Sequence, residues 1–219
     1  GAPLVQAFHQ KVFSSENENR VVVNIGGIAN ITVLEKSGAV GGFDTGPGNT
    51  LMDEWALQSL GKPYDENGDW GRSGTINNAL LKQMLSAPWF DTPPPKSTGR
   101  ELFNRNWLSS CIEQIDEDIS PADIQATLCE LTATSIVAGI KSCLVVTDTL
   151  IVCGGGIHNQ LLLERLKRHL PEAKLCSTSE WEIDPDFTEA AAFAWLAMAK
   201  TNNIAGNIPQ VTGASKPCI

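Results

Sequence analysis

The chain has little of several features that mark common classes of protein function. Its 219 residues include only three histidines and one tyrosine. No apolar run reaches the roughly 18 residues that a membrane-spanning helix needs. Lys and Arg number 16 against 25 Asp and Glu, so the net charge is −9 at pH 7. A surface of this sign repels phosphate backbones and anionic lipid, so neither nucleic acid nor a membrane is expected as a partner.

The chain also lacks paired cysteines. No CxxC spacing occurs among the six, which are Cys111, Cys129, Cys143, Cys153, Cys176 and Cys218. Most of them lie in apolar segments, a pattern typical of reduced, buried thiols in a cytoplasmic protein. Zinc needs clustered Cys and His ligands, and the histidines are scattered. We therefore expect a cytoplasmic location and no side-chain cluster that holds a metal.

Hydrophobic residues make up 42% of the chain, which is enough for one large domain or two small ones. The first part predicts a β-β-β-α unit. β-Branched content predicts strands at residues 20–25 and 28–34 and a third strand at 39–43, and apolar periodicity predicts a helix at 50–60. Asn49 stands where it could cap that helix.

The rest of the chain predicts mainly helices around one more buried strand. The expected elements are a loop at 63–74, helices at 76–85 and 107–115 joined by an extended loop, a helix from Pro121 to about 143 capped by Ser120, a strand at 149–153, a helix at 158–169, an edge strand at 174–176 and a helix at 189–200. This order predicts an α/β fold with a mixed sheet of β-β-β-α-β-α type and a helical insert at 63–118. It resembles one ribonuclease-H-like lobe of the actin/hexokinase architecture.

Asp44 is the strongest candidate for chemistry. It lies in GFDTGPGN (residues 42–49), after a short apolar strand and before a helix. A carboxylate beside a turn that contains Gly46 and Gly48 combines a base with backbone N–H groups that could bind an anion. The alternative is an aspartate that merely closes an Asx turn or caps the helix.

Two further glycine turns follow predicted strands. Gly26 and Gly27 are flanked by Asn24 and Asn30, whose amides could join backbone N–H groups around phosphate oxygens. A plain hairpin turn is the alternative.

The second of these turns is Gly154, Gly155 and Gly156, with Asn159 just beyond it. Bare backbone there suits close approach of a flat ring or a phosphate. It does not have the dinucleotide-binding pattern GxGxxG, and a purely steric turn stays open.

Charged side chains complete the candidate set. Lys96 and Arg100 are the first and last residues of KSTGR (residues 96–100), which could hold an anionic substrate group or form only a solvated turn. Glu189 opens an apolar helix and could either stabilise the helix dipole or, with Asp184 and Asp186, point a carboxylate into a cleft.

Taken together, these motifs resemble the anhydro-N-acetylmuramic acid kinase family. The resemblance rests on GAPLV with Phe8 and His9, NIGG, GFDTGPGNTLMD, PKSTGRE, CGGG, EAAAFAW and the closing VTGA at residues 211–214, in that order. It covers essentially the whole chain.

The resemblance implies a bacterial kinase of peptidoglycan recycling. Such an enzyme uses water to open the 1,6-anhydro ring of the sugar and uses ATP and Mg²⁺ to phosphorylate O6, which gives N-acetylmuramic acid 6-phosphate. Asp44 matches the catalytic aspartate and Glu189 a glutamate near the sugar. The turn at Gly26 would face the phosphates and the turn at Gly154 the adenosine. A homodimer is expected for the full-length protein.

The resemblance also implies that residues 1–219 form the C-terminal lobe of a longer kinase. The Ser/Thr/Gly-rich first phosphate loop of the family's N-terminal lobe has no counterpart in this sequence, so the chain is expected to be inactive alone. Three alternatives stay open: another amino-sugar kinase of the superfamily, a non-catalytic sugar or nucleotide sensor, and a glycosidase that uses the two carboxylates.

Overall fold

The structure of the chain is a computed structural model that describes residues 2–209, 215, 216 and 218. The closing motif at residues 211–214 lies outside the described residues. The strands are β1 Arg20–Ile25, β2 Ile28–Leu34, β3 Val40–Pro47, β4 Thr149–Cys153 and β5 Lys174–Ser177. The helices are α1 Ala2–Phe13, α2 Thr50–Leu60, α3 Asp69–Ser73, α4 Asn78–Leu85, α5 Arg105–Ile112, α6 Pro121–Ser142, α7 Gln160–His169 and α8 Thr188–Thr201.

The five strands form one mixed sheet in the order β3-β2-β1-β4-β5. β1, β2 and β3 pair antiparallel, while β4 is parallel to both β1 and β5. The carboxyl ends of β1 and β4 therefore lie side by side at one edge of the sheet. In α/β sheets this edge is where ligands usually bind, and it brings together the glycine turns that follow Ile25 and Cys153.

Helices cover both faces of the sheet, and the strand residues alternate between two cores. In β1, Val21 and Val23 pack into the larger core with α6, while Val22 packs into a smaller core with Phe8 and Phe13 of α1. Because both faces are covered, β1 and β4 are apolar runs rather than alternating ones. That pattern is what identified them in the sequence.

Helix α6 is buried along most of its length and supports the sheet. The Ser120 hydroxyl accepts a hydrogen bond from the Asp123 N–H (3.1 Å), and Pro121 occupies the first turn, as predicted. No helix in the described part of the chain is apolar over enough residues to cross a membrane.

Most predicted elements are confirmed, with shifted ends. β1, β2 and α2 have their predicted bounds, and β5 is the expected edge strand. β3 is longer than predicted and ends at Pro47. The predicted 158–169 helix starts at Gln160, where the Asn159 side chain accepts from the Leu162 N–H (3.0 Å), and the 107–115 helix starts at Arg105.

Two elements were not predicted. Helix α1 was missed, although Val5, Phe8 and Val12 recur at helical spacing. The 63–74 segment, predicted as a loop, contains a 3₁₀ turn and α3. The Asp65 carboxylate stabilises α3 by accepting from the Trp70 and Gly71 N–H groups (2.9 and 2.8 Å).

The cysteines and His9 have the structural roles that the sequence predicted. All six cysteines are free, and burial raises the pKa of Cys129 and Cys153 to about 12. His9 is buried, its Nδ1 lies 2.9 Å from the Thr32 hydroxyl, and burial lowers its pKa to about 3. Cys111, Cys129, Cys153 and Cys176 are packed into the two cores, whereas Cys218 is exposed.

Candidate active site

The Gly26-Gly27 turn is held in place by the N-terminus of α2. The Gly26 carbonyl accepts from the Asn49 N–H (2.8 Å), and the Gly27 carbonyl accepts from the Gly48 and Thr50 N–H groups (2.9 and 3.2 Å). A Cβ on Gly48 would collide with the Gly26 carbonyl oxygen, so glycine is required there. The N–H groups of Gly48, Asn49 and Thr50 are thus used within the protein, and Gly48 supports the turn rather than an anion.

Asn49 does not cap α2, contrary to the sequence prediction. Its side chain makes no capping hydrogen bond; instead its amide donates to the Ile25 carbonyl (3.2 Å). The Asn49 side chain therefore ties the start of α2 to the end of β1. It also lines a cavity described below.

Asp44 lies within β3 rather than after it, and its side chain is buried. Oδ2 accepts a hydrogen bond from the Thr98 backbone N–H (3.0 Å), while the Asp44 N–H donates to the Lys96 carbonyl (3.2 Å). Burial raises the pKa of Asp44, and the Thr98 hydrogen bond opposes that rise. A carboxylate that is fixed at one oxygen and has a raised pKa is suited to accept a proton through the other.

The Gly154–Gly156 turn is packed directly against the end of β1. Gly154 has φ +80°, and a Cβ there would collide with the Asn24 side-chain oxygen. A Cβ on Gly156 would collide with the Ile25 side chain, so Gly156 is a packing residue. Gly155 is open, with the Asn49 amide nitrogen 3.7 Å from its Cβ position. The turn therefore presents bare backbone at Gly155.

Asp44 and Glu189 line one cavity of about 410 Å³, although 145 positions separate them in the sequence. The other lining residues come from the two glycine turns, β2 and the start of α8: Asn24, Gly26, Gly27, Ile28, Asn30, Gly154, Gly155, Pro185, Asp186 and Thr188. We call this the carboxylate cavity. Its ionisable lining groups are all acidic.

A second cavity, of about 610 Å³, adjoins the first. Gly155 and Asp186 line both; the other residues of the second are Asn49, Met52, Asp53, Tyr64, Asp65, Glu66, Asn67, His158 and Asn159. We call it the α2 cavity. His158 Nε2 lies 2.9 Å from the Asp186 carboxylate at the border between the two.

Asp53 is the most perturbed acid of the α2 cavity. Burial raises its pKa to about 6, against the opposing effect of Arg100 and with a smaller contribution from Glu54. A half-buried carboxyl with an elevated pKa is costly to ionise, and such groups cluster at functional sites.

Several predicted site residues lie elsewhere. Gly46 (φ +140°) packs against Phe90 and Ser135. Lys96 lines a separate apolar cavity beside β3, and its ammonium donates to backbone carbonyls. Asp184 accepts from the Asp186 N–H (2.9 Å) and closes a turn. None of these three residues lines either cavity.

Arg100 is exposed and lies beside the Gly27 turn. A Cβ on Gly27 would be 3.4 Å from the Arg100 Nη2 atom. Arg100 is thus a cation next to the carboxylate cavity, and it is close enough to lower the pKa of Asp53.

The sequence analysis missed Asp53, Tyr64 and His158, together with the Thr98 N–H. Asp53 had a detectable signal, because it follows Asn49 by one helical turn on the predicted helix. Among the described residues there is no group of three or more His, Cys, Asp or Glu side chains placed to hold a metal ion.

Solved structures with the same architecture identify the fold class. An activator of 2-hydroxyisocaproyl-CoA dehydratase from Clostridium difficile, with bound ADPNP, superposes with a TM-score of 0.54 at 15% identity, over 98% of this chain and 70% of that chain. A xylulose kinase from Rhodospirillum rubrum gives 0.53 at 11% identity, over 90% and 40%. The fold is that of the actin/hexokinase-like ATPases, as predicted.

The family is more specific than the fold. The family model for anhydro-N-acetylmuramic acid kinase matches residues 1–219, and the chain belongs to that family. It is 48% identical over 220 residues to the anhydro-N-acetylmuramic acid kinase of Saccharophagus degradans, covering 100% of this chain and 59% of that protein. It is 50% identical over 222 residues to the enzyme of Photobacterium profundum, covering 98% and 59%. The chain thus spans about three fifths of their length.

Proposed function

We propose that residues 1–219 are the C-terminal lobe, with an insert at 63–118, of a two-lobed ATP-dependent kinase. The proposed substrate is 1,6-anhydro-N-acetylmuramic acid, which the enzyme opens with water and phosphorylates on O6. The observation that carries the proposal is the single cavity that Asp44 and Glu189 share with two glycine turns. Membership of the family supports the choice of substrate.

Asp44 is the proposed general base. Opening the internal acetal needs a carboxylate that activates water, as in glycoside hydrolysis. The Asp44 carboxylate takes the proton of a water that attacks C1. The C1–O6 bond breaks, and its electrons stay on O6. O6 then attacks the terminal phosphorus of ATP, the bond from that phosphorus to the bridging oxygen breaks and ADP leaves, so ring opening and phosphoryl transfer share one base.

Glu189 is proposed to hold the sugar and the attacking water. It is exposed at the first turn of α8 and faces the same cavity as Asp44. Asp44 keeps the role of base because burial, rather than a neighbouring charge, raises its pKa.

The two glycine turns fit a nucleotide. Gly26 and Gly155 have open space where a side chain would stand, so phosphate oxygens can approach their backbone, and Asn24 adds an amide beside Gly154. We propose that the carboxylate cavity takes the terminal phosphates and that the α2 cavity, with Asn159, takes the nucleoside.

The charge of the site supports the use of Mg²⁺. The ionisable groups that line the carboxylate cavity are Asp44, Asp186 and Glu189, and Asp53 adds another acid nearby. Polyphosphate cannot enter this field without a compensating cation, and Mg²⁺ bridging phosphate oxygens is the usual solution in kinases. Asp186 and Asp53 are the side chains that would hold its waters. Arg100, beside Gly27, would neutralise further charge.

The biological setting follows the family. We propose a cytoplasmic enzyme of peptidoglycan recycling, homodimeric as the full-length protein, whose product is N-acetylmuramic acid 6-phosphate.

The direct test joins this chain to the N-terminal lobe of a curated relative and supplies the anhydro sugar. Mass spectrometry should detect a phosphorylated, ring-opened sugar only when ATP and Mg²⁺ are both present. Ring opening without ATP would indicate a glycosidase. Binding without any conversion would indicate a sensor, and phosphorylation of only a different amino sugar would overturn the substrate assignment.

A further inference from the structure

The segment at residues 96–98 lies along the free edge of β3, next to Asp44. Two hydrogen bonds join them. The Asp44 N–H donates to the Lys96 carbonyl (3.2 Å), and the Thr98 N–H donates to the side-chain oxygen Oδ2 of Asp44 (3.0 Å). One contact fixes the Asp44 backbone and the other its carboxylate. We call residues 96–98 the edge strap.

Side chains on the strap and on the preceding turn anchor it. The Lys96 ammonium donates to the Phe90 carbonyl (3.0 Å) and the Trp89 carbonyl (3.4 Å), and lies 4.3 Å from the centre of the Trp89 ring. The Trp89 indole N–H donates to the Ser97 carbonyl (3.2 Å). Charge-assisted hydrogen bonds and a cation–π contact together make a strong anchor.

These contacts give Lys96 a different role from the one its basic character suggested. Its charged ammonium is held by carbonyls and a ring within residues 89–98, and burial lowers its pKa. A cation turned toward two carbonyls and an aromatic ring cannot also grip a substrate in the carboxylate cavity.

We propose that the edge strap is a positioning device for the base, in which Lys96 anchors the strap and the Thr98 N–H orients the Asp44 carboxylate toward the water. The proposal rests on the proposed function for the role of Asp44 as a base. Lys96 and Thr98 are positioning residues, since they act through Asp44.

The electrostatic surroundings make the Thr98 contact important. Asp186 and Glu189, which are both acidic, line the same cavity as Asp44. The nearby cations point elsewhere: Lys96 toward Phe90, and Arg100 beside Gly27. Among the described residues, the Thr98 N–H is therefore the main group that stabilises the ionised Asp44 carboxylate.

The first test measures the pKa of the Asp44 carboxyl directly, by ¹³C NMR titration of this chain, with Asp44→Asn to identify the resonance. Thr98→Pro removes the N–H, and Thr98→Ala is the matched control that keeps it. We expect Thr98→Pro to raise the pKa by about one unit or more, as loss of a hydrogen bond to a charged group does. Thr98→Ala should leave it unchanged. Equal pKa values in all three proteins would overturn the proposal.

The second test does not require the proline variant to fold. Lys96→Met is made in the two-lobed protein, which is the fusion of this chain to the N-terminal lobe of a relative. The control is Lys62→Met, because Lys62 is exposed and lies outside both cavities. We expect kcat to fall about tenfold or more, because small misplacements of reacting groups are costly. KM for the sugar should stay within about twofold. A higher KM at unchanged kcat would overturn the proposal and make Lys96 a substrate ligand.

The two experiments fail in different ways. If the wild-type two-lobed protein does not phosphorylate the sugar, the proposed function is wrong, but the NMR titration still decides whether the strap controls Asp44. If the enzyme is active and the titration shows no effect of Thr98→Pro, only the positioning role is wrong.

Discussion

The side-chain oxygen of Asn24 packs directly against Gly154, where β1 and β4 end next to each other. This contact locks the two glycine turns of the candidate site into one surface, and it leaves no room for a side chain at Gly154.

Gly154→Ala should therefore be markedly destabilising. Gly154 and Gly38 both have positive φ (+80° and +89°), but a Cβ on Gly38 would meet nothing within 4 Å. Gly38→Ala should cost about 1 kcal/mol for the left-handed backbone alone. Gly154→Ala should cost about 1–3 kcal/mol more, because its φ and ψ (80° and 170°) suit only glycine and its Cβ would collide with Asn24 and the Ile25 carbonyl. Urea denaturation of this chain measures both, and equal losses would contradict the predicted contact.

Asp44→Asn in the two-lobed protein should abolish turnover and leave nucleotide binding nearly intact. Loss of a general base typically lowers the rate by about 10²–10⁴-fold, and asparagine keeps the shape of the side chain. Asp118→Asn, at an exposed position outside both cavities, is the control. A steady-state kinase assay and ATP calorimetry give the two readouts. Wild-type turnover in the Asp44 variant would refute its assignment as the base.

Glu189→Ala should lower turnover and weaken sugar binding, with a smaller effect on ATP. The reason is its position in the lining of the carboxylate cavity. Glu189→Gln separates charge from shape, since it keeps the hydrogen-bonding geometry. Calorimetry with the sugar measures affinity. If rate and affinity both stay unchanged in the alanine variant, Glu189 only stabilises the start of α8.

Asp53 should make the chain less stable as the pH rises. Its folded-state pKa is raised to about 6, so the folded state binds the proton more tightly than the unfolded state. The resulting stabilisation is complete below the unfolded pKa, near 4, and is lost as pH rises through 6. Asp53→Asn should remove that decline and raise stability at pH 7.5 by about 1 kcal/mol, after allowance for solvent screening of a half-exposed group.

Urea denaturation between pH 4 and 7.5 tests this prediction, with Asp118→Asn again as control. The stability of Asp53→Asn relative to the wild type and the control should rise between pH 4 and 7.5, because the buried His9, whose pKa is lowered to about 3, contributes the same pH dependence to all three proteins. Parallel curves for all three proteins would show that Asp53 titrates normally.

The 219-residue chain should fold alone but not phosphorylate the sugar. Its two cores are formed by its own helices and strands. A kinase of this fold closes over its substrates and excludes water, and this chain supplies one proposed lobe. Calorimetry should show weak ATP binding, and a coupled assay should show no product. Measurable product with the sugar and Mg-ATP would show that no second lobe is needed.

The sequence was sufficient for the sheet and for part of the site. β-Branched runs with glycine turns at their ends predicted β1, β2 and β4, because strands buried on both faces are apolar throughout. The structure places Asn24, Gly26 and Gly155, which lie in or beside those turns, in the lining of the two cavities. Glu189 was identified through its family motif, since nothing local distinguishes it from a helix-start glutamate.

The remaining features depend on contacts that a linear pattern does not encode. The donor to Asp44 is the backbone N–H of Thr98, which has no residue signature. The basic loop KSTGR left open a solvated turn or a substrate-binding role for Lys96, whereas in the structure the Trp89 ring and two backbone carbonyls bind its ammonium. The roles of Gly46, Gly48 and Gly156 are steric, and only the packed structure separates them from Gly155.

The edge strap also affects how copies of this chain meet. β3 is an outer strand of the sheet, and unpaired N–H and C=O groups on an outer strand invite pairing with another molecule. At Asp44 the strap occupies that hydrogen-bonding edge. Detachment of the strap would therefore expose an unpaired edge strand and release the Asp44 carboxylate at the same time. Misalignment of the base and self-association of the chain would then increase together.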